Sequence, residues 1–91
     1  MNRQEVYELI DGEREYQNSR WNDKTTSSAG WHLFPEQWII YMEDYLQEAK
    51  HLISRESGDT AYPKAMEIIR KVTAMGVAAM EQIDTPPRKK V

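Results

Sequence analysis

Apolar side chains return at intervals of three and four residues in three separate stretches of the chain. This spacing places them along one side of an α-helix. It predicts helices over about residues 2–20, 35–55 and 63–83. The short apolar run at 38–42 is the one stretch that could also form a strand, and its helical surroundings favour helix. We therefore predict an all-α fold in which three main helices form a bundle.

The ends of the predicted helices carry recognisable signals. Asn2, followed three residues later by Glu5, matches a capping box at the start of the first helix. Pro35 suits the first position of the second helix, where its missing N–H costs nothing. Gly12 weakens the middle of the first helix by about 1 kcal/mol relative to alanine. We expect a bend or a close helix contact there.

The second and third helices each show an apolar face that we expect to form the core. In the second helix this face holds Trp38, Met42, Tyr45, Leu46, Ala49, Leu52 and Ile53. In the third helix it holds Met66, Ile69, Val72, Gly76, Met80 and Ile83. A turn at 57–59 separates the two helices, and we expect Asp59 or Thr60 to cap the helix that follows.

The length of the chain limits how large a core it can build. Its 91 residues predict a single helical domain over 1–84, followed by a basic, extended tail over 85–91. One core of this size supplies only a few kcal/mol of net stability. The sequence has no cysteine, so disulfides cannot add to it. We therefore expect the bundle to be completed by oligomerisation with further copies of the chain.

The distribution of charge narrows the classes of partner. The net charge of −3 argues against a general nucleic-acid-binding protein, which normally presents a dominant basic face. Residues 35–56 carry five acids against two bases, whereas residues 63–91 carry six bases against three acids. Such opposed segments favour helices that pack against each other. No apolar run approaches the roughly 20 residues that cross a bilayer. We expect a cytoplasmic protein with no membrane partner.

A set of cationic and aromatic residues could bind a phosphorylated ligand. Arginine contacts phosphate in a bidentate manner, and aromatic rings stack on nucleobases. The candidate ligand-binding residues are Arg14, Tyr16, Trp21, Lys24, Arg70 and Lys71. The alternative is that the aromatic side chains belong to the core and that the cations pair with the many acids.

A second set of residues is acidic and could hold a metal ion. Asp44 and Glu48 share a face of the second helix, and Glu67 lies on the third. Carboxylates from two adjacent helices can bind Mg²⁺ and leave positions for water and phosphate oxygens. The alternative is that these acids form the solvent-facing side of an amphipathic helix.

Several short segments resemble small phage-encoded MazG-like proteins, which are all-α nucleoside triphosphate pyrophosphohydrolases. The likeness spans most of the chain and is carried by Glu13-Arg14-Glu15-Tyr16-Gln17, Glu36-Gln37-Trp38, Tyr45-Leu46-Gln47-Glu48-Ala49, Ile69-Arg70-Lys71-Val72, Glu81-Gln82 and Pro87-Arg88. The resemblance implies a helical dimer or tetramer that uses Mg²⁺ to hydrolyse a nucleotide to its monophosphate and pyrophosphate. It also implies a phage-encoded protein that acts in the cytoplasm of the host cell.

The chain departs from the metal-binding pattern of that family. The family uses Glu-x-x-Glu on one helix and Glu-x-x-Asp on the next. Here the first motif is reduced to Tyr45-x-x-Glu48 or Asp44-x-x-Gln47, and the second reads Glu67-Ile68-Ile69-Arg70. A guanidinium 4 Å from a metal ion costs about 4 kcal/mol per unit charge at an effective dielectric constant near 20.

These departures favour binding over catalysis. The leading hypothesis is a phage-type helical oligomer that binds or sequesters a phosphorylated nucleotide, without a cofactor and without hydrolysing it. One alternative is a divergent Mg²⁺-dependent pyrophosphohydrolase that uses Asp44, Glu48 and Glu67. A second alternative is a phage accessory protein that binds a host protein.

Overall fold

Three α-helices form the described part of the protein. The computed structural model describes residues 1–21 and 33–89, apart from the side chain of Trp21. Helix α1 spans Arg3–Trp21, α2 spans Pro35–Arg55 and α3 spans Gly58–Gln82. The described ranges contain no strand, and the predicted all-α fold is confirmed. Residues 84–89 are exposed and have no regular structure.

The first two helices begin where the sequence predicts. The backbone N–H of Glu5 donates to Asn2 Oδ1 at 2.8 Å, and the backbone N–H of Asn2 donates to Glu5 Oε1 at 3.1 Å. This reciprocal pair is the predicted capping box. Pro35 is the first residue of α2. The close helix contact expected at Gly12 is absent among the described residues, because no atom outside the local backbone of α1 lies within 4 Å of the position that a Cβ would take there.

Helix α3 begins earlier than the sequence predicts. Its N-cap is Ser57, whose carbonyl oxygen accepts the backbone N–H groups of Thr60 at 3.1 Å and Ala61 at 2.8 Å. The prediction that Asp59 or Thr60 caps the helix is therefore wrong, and Pro63 lies inside α3 rather than at its start. A proline in the second turn of a helix costs one backbone hydrogen bond. Only Glu56 and Ser57 separate α2 from α3.

Helices α2 and α3 form an antiparallel pair with an apolar seam. Buried or half-buried residues follow each other at alternating intervals of three and four on both helices, a spacing typical of paired helices. On α2 they are Trp38, Met42, Tyr45, Ala49 and Leu52, and on α3 they are Ala61, Ala65, Ile68, Val72, Met75 and Ala79. Trp38, Met75 and Ala78 form the central cluster of this seam.

The predicted core faces are only partly confirmed. On α2 the stripe through Trp38 and Leu52 is buried or half-buried, but Leu46 and Ile53 are exposed. On α3 half of the predicted face is confirmed, because Val72, Gly76 and Ile83 are half-buried, whereas Met66, Ile69 and Met80 are exposed. The seam instead uses the alanine-rich face, since small side chains allow a neighbouring helix to approach closely. The larger side chains of α3 are left at the surface.

Helix α3 lies between the other two helices. It packs against both α1 and α2, whereas the backbones of α1 and α2 do not approach each other within the described ranges. Val6 and Leu9 adjoin Met66 and Ile69, and Arg14 reaches Glu81, so α1 runs in the same direction as α3.

None of the described helices is both long and apolar enough to cross a lipid bilayer.

Candidate functional site

Arg14 is a structural residue that joins α1 to α3. Its side chain is 8% exposed, and it contacts both carboxylate oxygens of Glu81, at 2.8 and 3.0 Å. It also donates to Asn18 Oδ1 at 2.7 Å. The hydrogen bonds from Arg14 lower the pKa of Glu81 and outweigh the opposing effect of burial. Because the Arg14 side chain is buried and paired with Glu81, it is not in a position to bind a phosphate from solvent.

Arg70 makes a second ion pair between the same two helices. Its Nε donates to Glu13 Oε1 at 2.8 Å. The Glu13 side chain is 9% exposed and that of Arg70 is 38% exposed. Glu13 lies on the core-facing side of α1, where an acidic group needs a partner. Arg70 supplies that partner, which explains a cation at this position without reference to a ligand.

Two of the remaining predicted residues, Tyr16 and Lys71, meet in a cleft beside these ion pairs. The cleft has a volume of about 220 Å³ and is lined by residues of all three helices, namely Glu13, Tyr16, Gln17, Arg20, Tyr45, Lys71 and Met75. We call it the tyrosine cleft. Lys71 Nζ lies 4.6 Å from the centre of the Tyr45 ring. The guanidinium carbon of Arg20 lies 6.0 Å from the centre of the Tyr16 ring.

The charge of the tyrosine cleft is positive on balance. Arg20 and Lys71 each contribute one positive charge, and Glu13 contributes one negative charge. Arg70 pairs with that carboxylate from the neighbouring turn of α3. The two cations are therefore not cancelled by an acid of their own within the cleft, and an anionic ligand would be attracted there.

A buried amide forms part of the wall of the cleft. Gln17 is 3% exposed, and its Nε2 donates to the backbone oxygen of Lys71 at 3.1 Å. Its Oε1 is buried and has no hydrogen-bond partner among the described residues. A buried acceptor without a partner costs about 1–3 kcal/mol. A ligand that carries an N–H or O–H donor could satisfy this oxygen.

The candidate metal-binding carboxylates do not assemble into a site. Glu48 and Glu67 line one pocket, but Lys64, Arg70 and Lys71 line it as well, and Asp44 belongs to a different pocket with Gln47 and His51. In the part of the chain that the structure describes, no three His, Asp or Glu side chains are grouped so that they could hold a metal ion. Three cations beside two acids do not fit a Mg²⁺ ion, which needs an excess of negative ligands.

The structure thus brings together some of the predicted ligand-binding residues and separates others. Tyr16 and Lys71 share the tyrosine cleft, whereas Arg14 and Arg70 form interhelical ion pairs. Lys24 and the side chain of Trp21 lie outside the described residues. Sequence reasoning missed Arg20 as a site residue and assigned Tyr45 to the core. The signal for Arg20 is its position four residues after Tyr16, on the same helix face.

Comparison with known proteins adds no relative of this chain. No family model matches it, and neither a curated protein nor a solved structure matches it significantly.

Proposed function

We propose that this protein binds a phosphorylated nucleotide in the tyrosine cleft without hydrolysing it. The observation that carries the proposal is the buried Gln17 oxygen, which lacks a partner among the described residues, in the wall of a cleft with two cations and two tyrosine rings. A nucleotide offers complementary groups. Its phosphate attracts Arg20 and Lys71, its base can stack on a tyrosine, and an N–H group of the base can donate to Gln17.

The roles within the cleft follow from exposure. Tyr16 is exposed and so presents a ring face to a base, which is worth about 1–3 kcal/mol per stacked base. Tyr45 is half-buried in the helix seam, and its ring contacts the ammonium group of Lys71. In this proposal Lys71 and Arg20 replace Arg14 and Arg70 as the phosphate-binding cations, since the latter two are engaged with acids.

The residues that surround Glu48 and Glu67 support a protein that does not hydrolyse its nucleotide. Metal-assisted attack on a phosphate needs carboxylates that hold the ion and leave room for water. Glu48 and Glu67 share their pocket with Lys64, Arg70 and Lys71. A phage-encoded protein of this kind would sequester its nucleotide in the cytoplasm of the host cell.

Calorimetric titration of the full chain against a panel of linear and cyclic nucleotides tests the proposal. At least one member should bind, and Lys71→Met should weaken that binding at least tenfold while keeping the aliphatic stem of the side chain. Lys64→Met is the matched control, because Lys64 lies on the same helix and pairs with Glu56 outside the cleft. The proposal is contradicted if no nucleotide of the panel binds, or if the two variants weaken binding equally. Release of pyrophosphate with Mg²⁺ would favour the hydrolase instead.

We also propose that the chain functions as a homo-oligomer. A single core built from a chain of this length supplies only a few kcal/mol of net stability. Several large apolar side chains of α3, among them Met66, Ile69 and Met80, are exposed in the described part of the chain. Exposed apolar patches are typical of surfaces that a partner covers. Sedimentation of the full chain tests the proposal, and a species of 10.7 kDa at all concentrations would contradict it.

A further inference from the structure

Two neighbouring side chains of the tyrosine cleft each have an oxygen that receives no hydrogen bond from the described residues. Glu13 and Gln17 both line the cleft. They are four residues apart on α1, which places them on the same face of the helix with their Cβ atoms about 5–6 Å apart. Arg70 Nε donates to one carboxylate oxygen of Glu13, at 2.8 Å, and to that oxygen alone. The other oxygen of Glu13 and Oε1 of Gln17 can therefore accept hydrogen bonds from a ligand.

The orientation of the Gln17 amide is fixed by the backbone of α3. Its Nε2 donates to the backbone oxygen of Lys71 at 3.1 Å. A carbonyl oxygen can only accept a hydrogen bond, so turning the amide over would place two oxygens against each other. Oε1 is therefore the atom of this amide that lacks a partner, rather than a nitrogen.

The Gln17 oxygen is buried in the free protein, so a ligand reaches it only when nearby side chains move. Tyr16 and Arg20 line the same cleft, and both are exposed. Exposed side chains change rotamer within nanoseconds. Opening of the cleft therefore requires no rearrangement of the helices.

The nucleobases differ in what they would present to two acceptors side by side. Guanine has two adjacent donors on its Watson–Crick edge, the N1–H and the 2-amino group. Adenine and cytosine place a ring-nitrogen acceptor beside their amino donor, and uracil places a carbonyl on each side of its single N–H. Guanine alone among these bases satisfies both acceptors, whereas each of the others brings a lone pair against one of them.

We propose that the nucleotide bound in the tyrosine cleft carries guanine, with its N1–H donating to Glu13 and its 2-amino group donating to Gln17 Oε1. This inference rests on the nucleotide binding proposed above and names the base. Arg70 keeps its hydrogen bond with Glu13 and so holds the carboxylate in position for the base. Arg20 and Lys71 lie in the same cleft and attract the phosphate.

Calorimetric titration of the full chain with three purine nucleotides tests the base. Guanosine, inosine and adenosine are each supplied as the 5′-triphosphate and as the 3′,5′-cyclic monophosphate, so that only the base differs within a series. Inosine keeps the N1–H of guanosine and lacks the 2-amino group, whereas adenosine has an acceptor at N1. The guanosine form should bind about tenfold more tightly than the inosine form and about 100-fold more tightly than the adenosine form, because the weaker ligands leave acceptors of the site unpaired.

Glu13→Gln separates recognition of the base from a structural role. The amide oxygen can still accept from Arg70, and the NH₂ group then puts a donor where the second acceptor was. The preference for guanosine over adenosine should fall about tenfold or more. A ratio of two affinities measured on one variant does not depend on the fraction of that variant that is folded. Glu15→Gln is the matched control and should leave the ratio unchanged, because Glu15 is an exposed residue of α1 outside the cleft.

The outcomes distinguish the base from nucleotide binding itself. Equal binding of guanosine and adenosine nucleotides, or tighter binding of any other base, overturns the inference about guanine and leaves nucleotide binding in place. The same holds if neither series binds while another nucleotide of the wider panel does. Absence of binding throughout overturns both proposals. A guanosine preference that Glu13→Gln and Glu15→Gln retain alike shows that Glu13 does not read the base, and it overturns the inference.

Discussion

Helices α1 and α2 both pack against α3, but they do so through different kinds of side chain. The contact between α2 and α3 is an apolar seam around Trp38 and Met75. The contact between α1 and α3 has apolar members such as Ile10, but it also contains two ion pairs, Arg14 with Glu81 and Arg70 with Glu13, and the hydrogen bond from Gln17. Apolar burial is non-directional and insensitive to pH, whereas ion pairs depend on geometry, partner and protonation.

The two ion pairs share an asymmetry. In each pair the partner on α1 is buried, at 8% exposure for Arg14 and 9% for Glu13, whereas the partner on α3 is more exposed, at 52% for Glu81 and 38% for Arg70. Each exposed side chain on α3 therefore compensates a buried charge on α1. Loss of the exposed partner leaves a buried charge without compensation, which costs more than loss of the pair. We infer that α1 is the helix that separates first from the rest.

The largest effect is expected from the apolar seam. Trp38 is 2% exposed and packs against Met75 and Ala78. Trp38→Ala removes this contact and leaves a cavity, which costs about 3–5 kcal/mol. A domain of this size has a comparable total stability, so urea denaturation should show the variant largely unfolded in water.

The matched control for this prediction is Ile40→Ala. Ile40 is an exposed residue of the same helix, and its removal should change the free energy of unfolding by less than about 0.5 kcal/mol. A loss of less than 1 kcal/mol in Trp38→Ala would mean that the seam is not the main source of stability.

The apolar seam was partly predictable from the sequence, because local spacing determines which face of a helix is apolar. The stripe of α2 through Trp38 follows from spacing alone, and so does the capping box of Asn2 and Glu5. Helix α3 was harder because it is apolar on more than one face. Side-chain size favours Met66 and Met80 as core residues, whereas the neighbours approach over the alanines at 61, 65 and 74. Such a choice between faces depends on the tertiary arrangement.

The ionic contact was not predictable to the same degree. The sequence shows that Glu13 needs a partner, but the partner lies 57 residues away. Arg14 looks like a phosphate-binding residue because an unpaired arginine and a paired one have the same sequence context. Tyr16 and Lys71 were identified as candidates, and they do share the tyrosine cleft. Arg20 and Gln17 could be recognised as residues of the cleft only from the orientation of α1 on α3.

An intermediate effect is expected when the exposed partner of a buried charge is removed. Arg70→Met keeps the aliphatic stem and leaves Glu13 buried without its cation. Because Arg70 is 38% exposed, we expect a loss of about 2 kcal/mol, below the 3–5 kcal/mol of a fully buried pair. Urea denaturation measures the loss, and hydrogen exchange should locate it in α1.

The control for Arg70→Met is the double variant with Glu13→Gln. Removing the buried charge as well should recover at least half of the lost stability, since the neutral amide is less costly to bury. A double variant that is less stable than Arg70→Met would show that Glu13 makes a favourable contact of its own, and it would contradict the asymmetry described above.

The smallest effect is expected from acidification, and it distinguishes the two contacts most directly. The pKa of Glu81 is lowered from its ordinary value of 4.5 by hydrogen bonds from Arg14. Its contribution is therefore fully present above pH 4.5 and is lost as the pH falls through the lower value of the folded protein. Glu81 is half-exposed, so the contribution is below about 1 kcal/mol. The free energy of unfolding of the wild type should fall more steeply on acidification than that of Glu81→Gln.

Hydrogen exchange over the same pH range should then show α1 losing protection before α2 and α3. The pKa of Glu56 is also lowered, by its hydrogen bond with Lys64, but this pair links the end of α2 to α3 and lies at the surface. Glu56→Gln should therefore alter the acid response of the α2–α3 turn without affecting α1. Simultaneous loss of protection in all three helices would mean that α1 and α2 are held with equal strength. The contrast between an ionic and an apolar contact would then have no consequence for the order of unfolding.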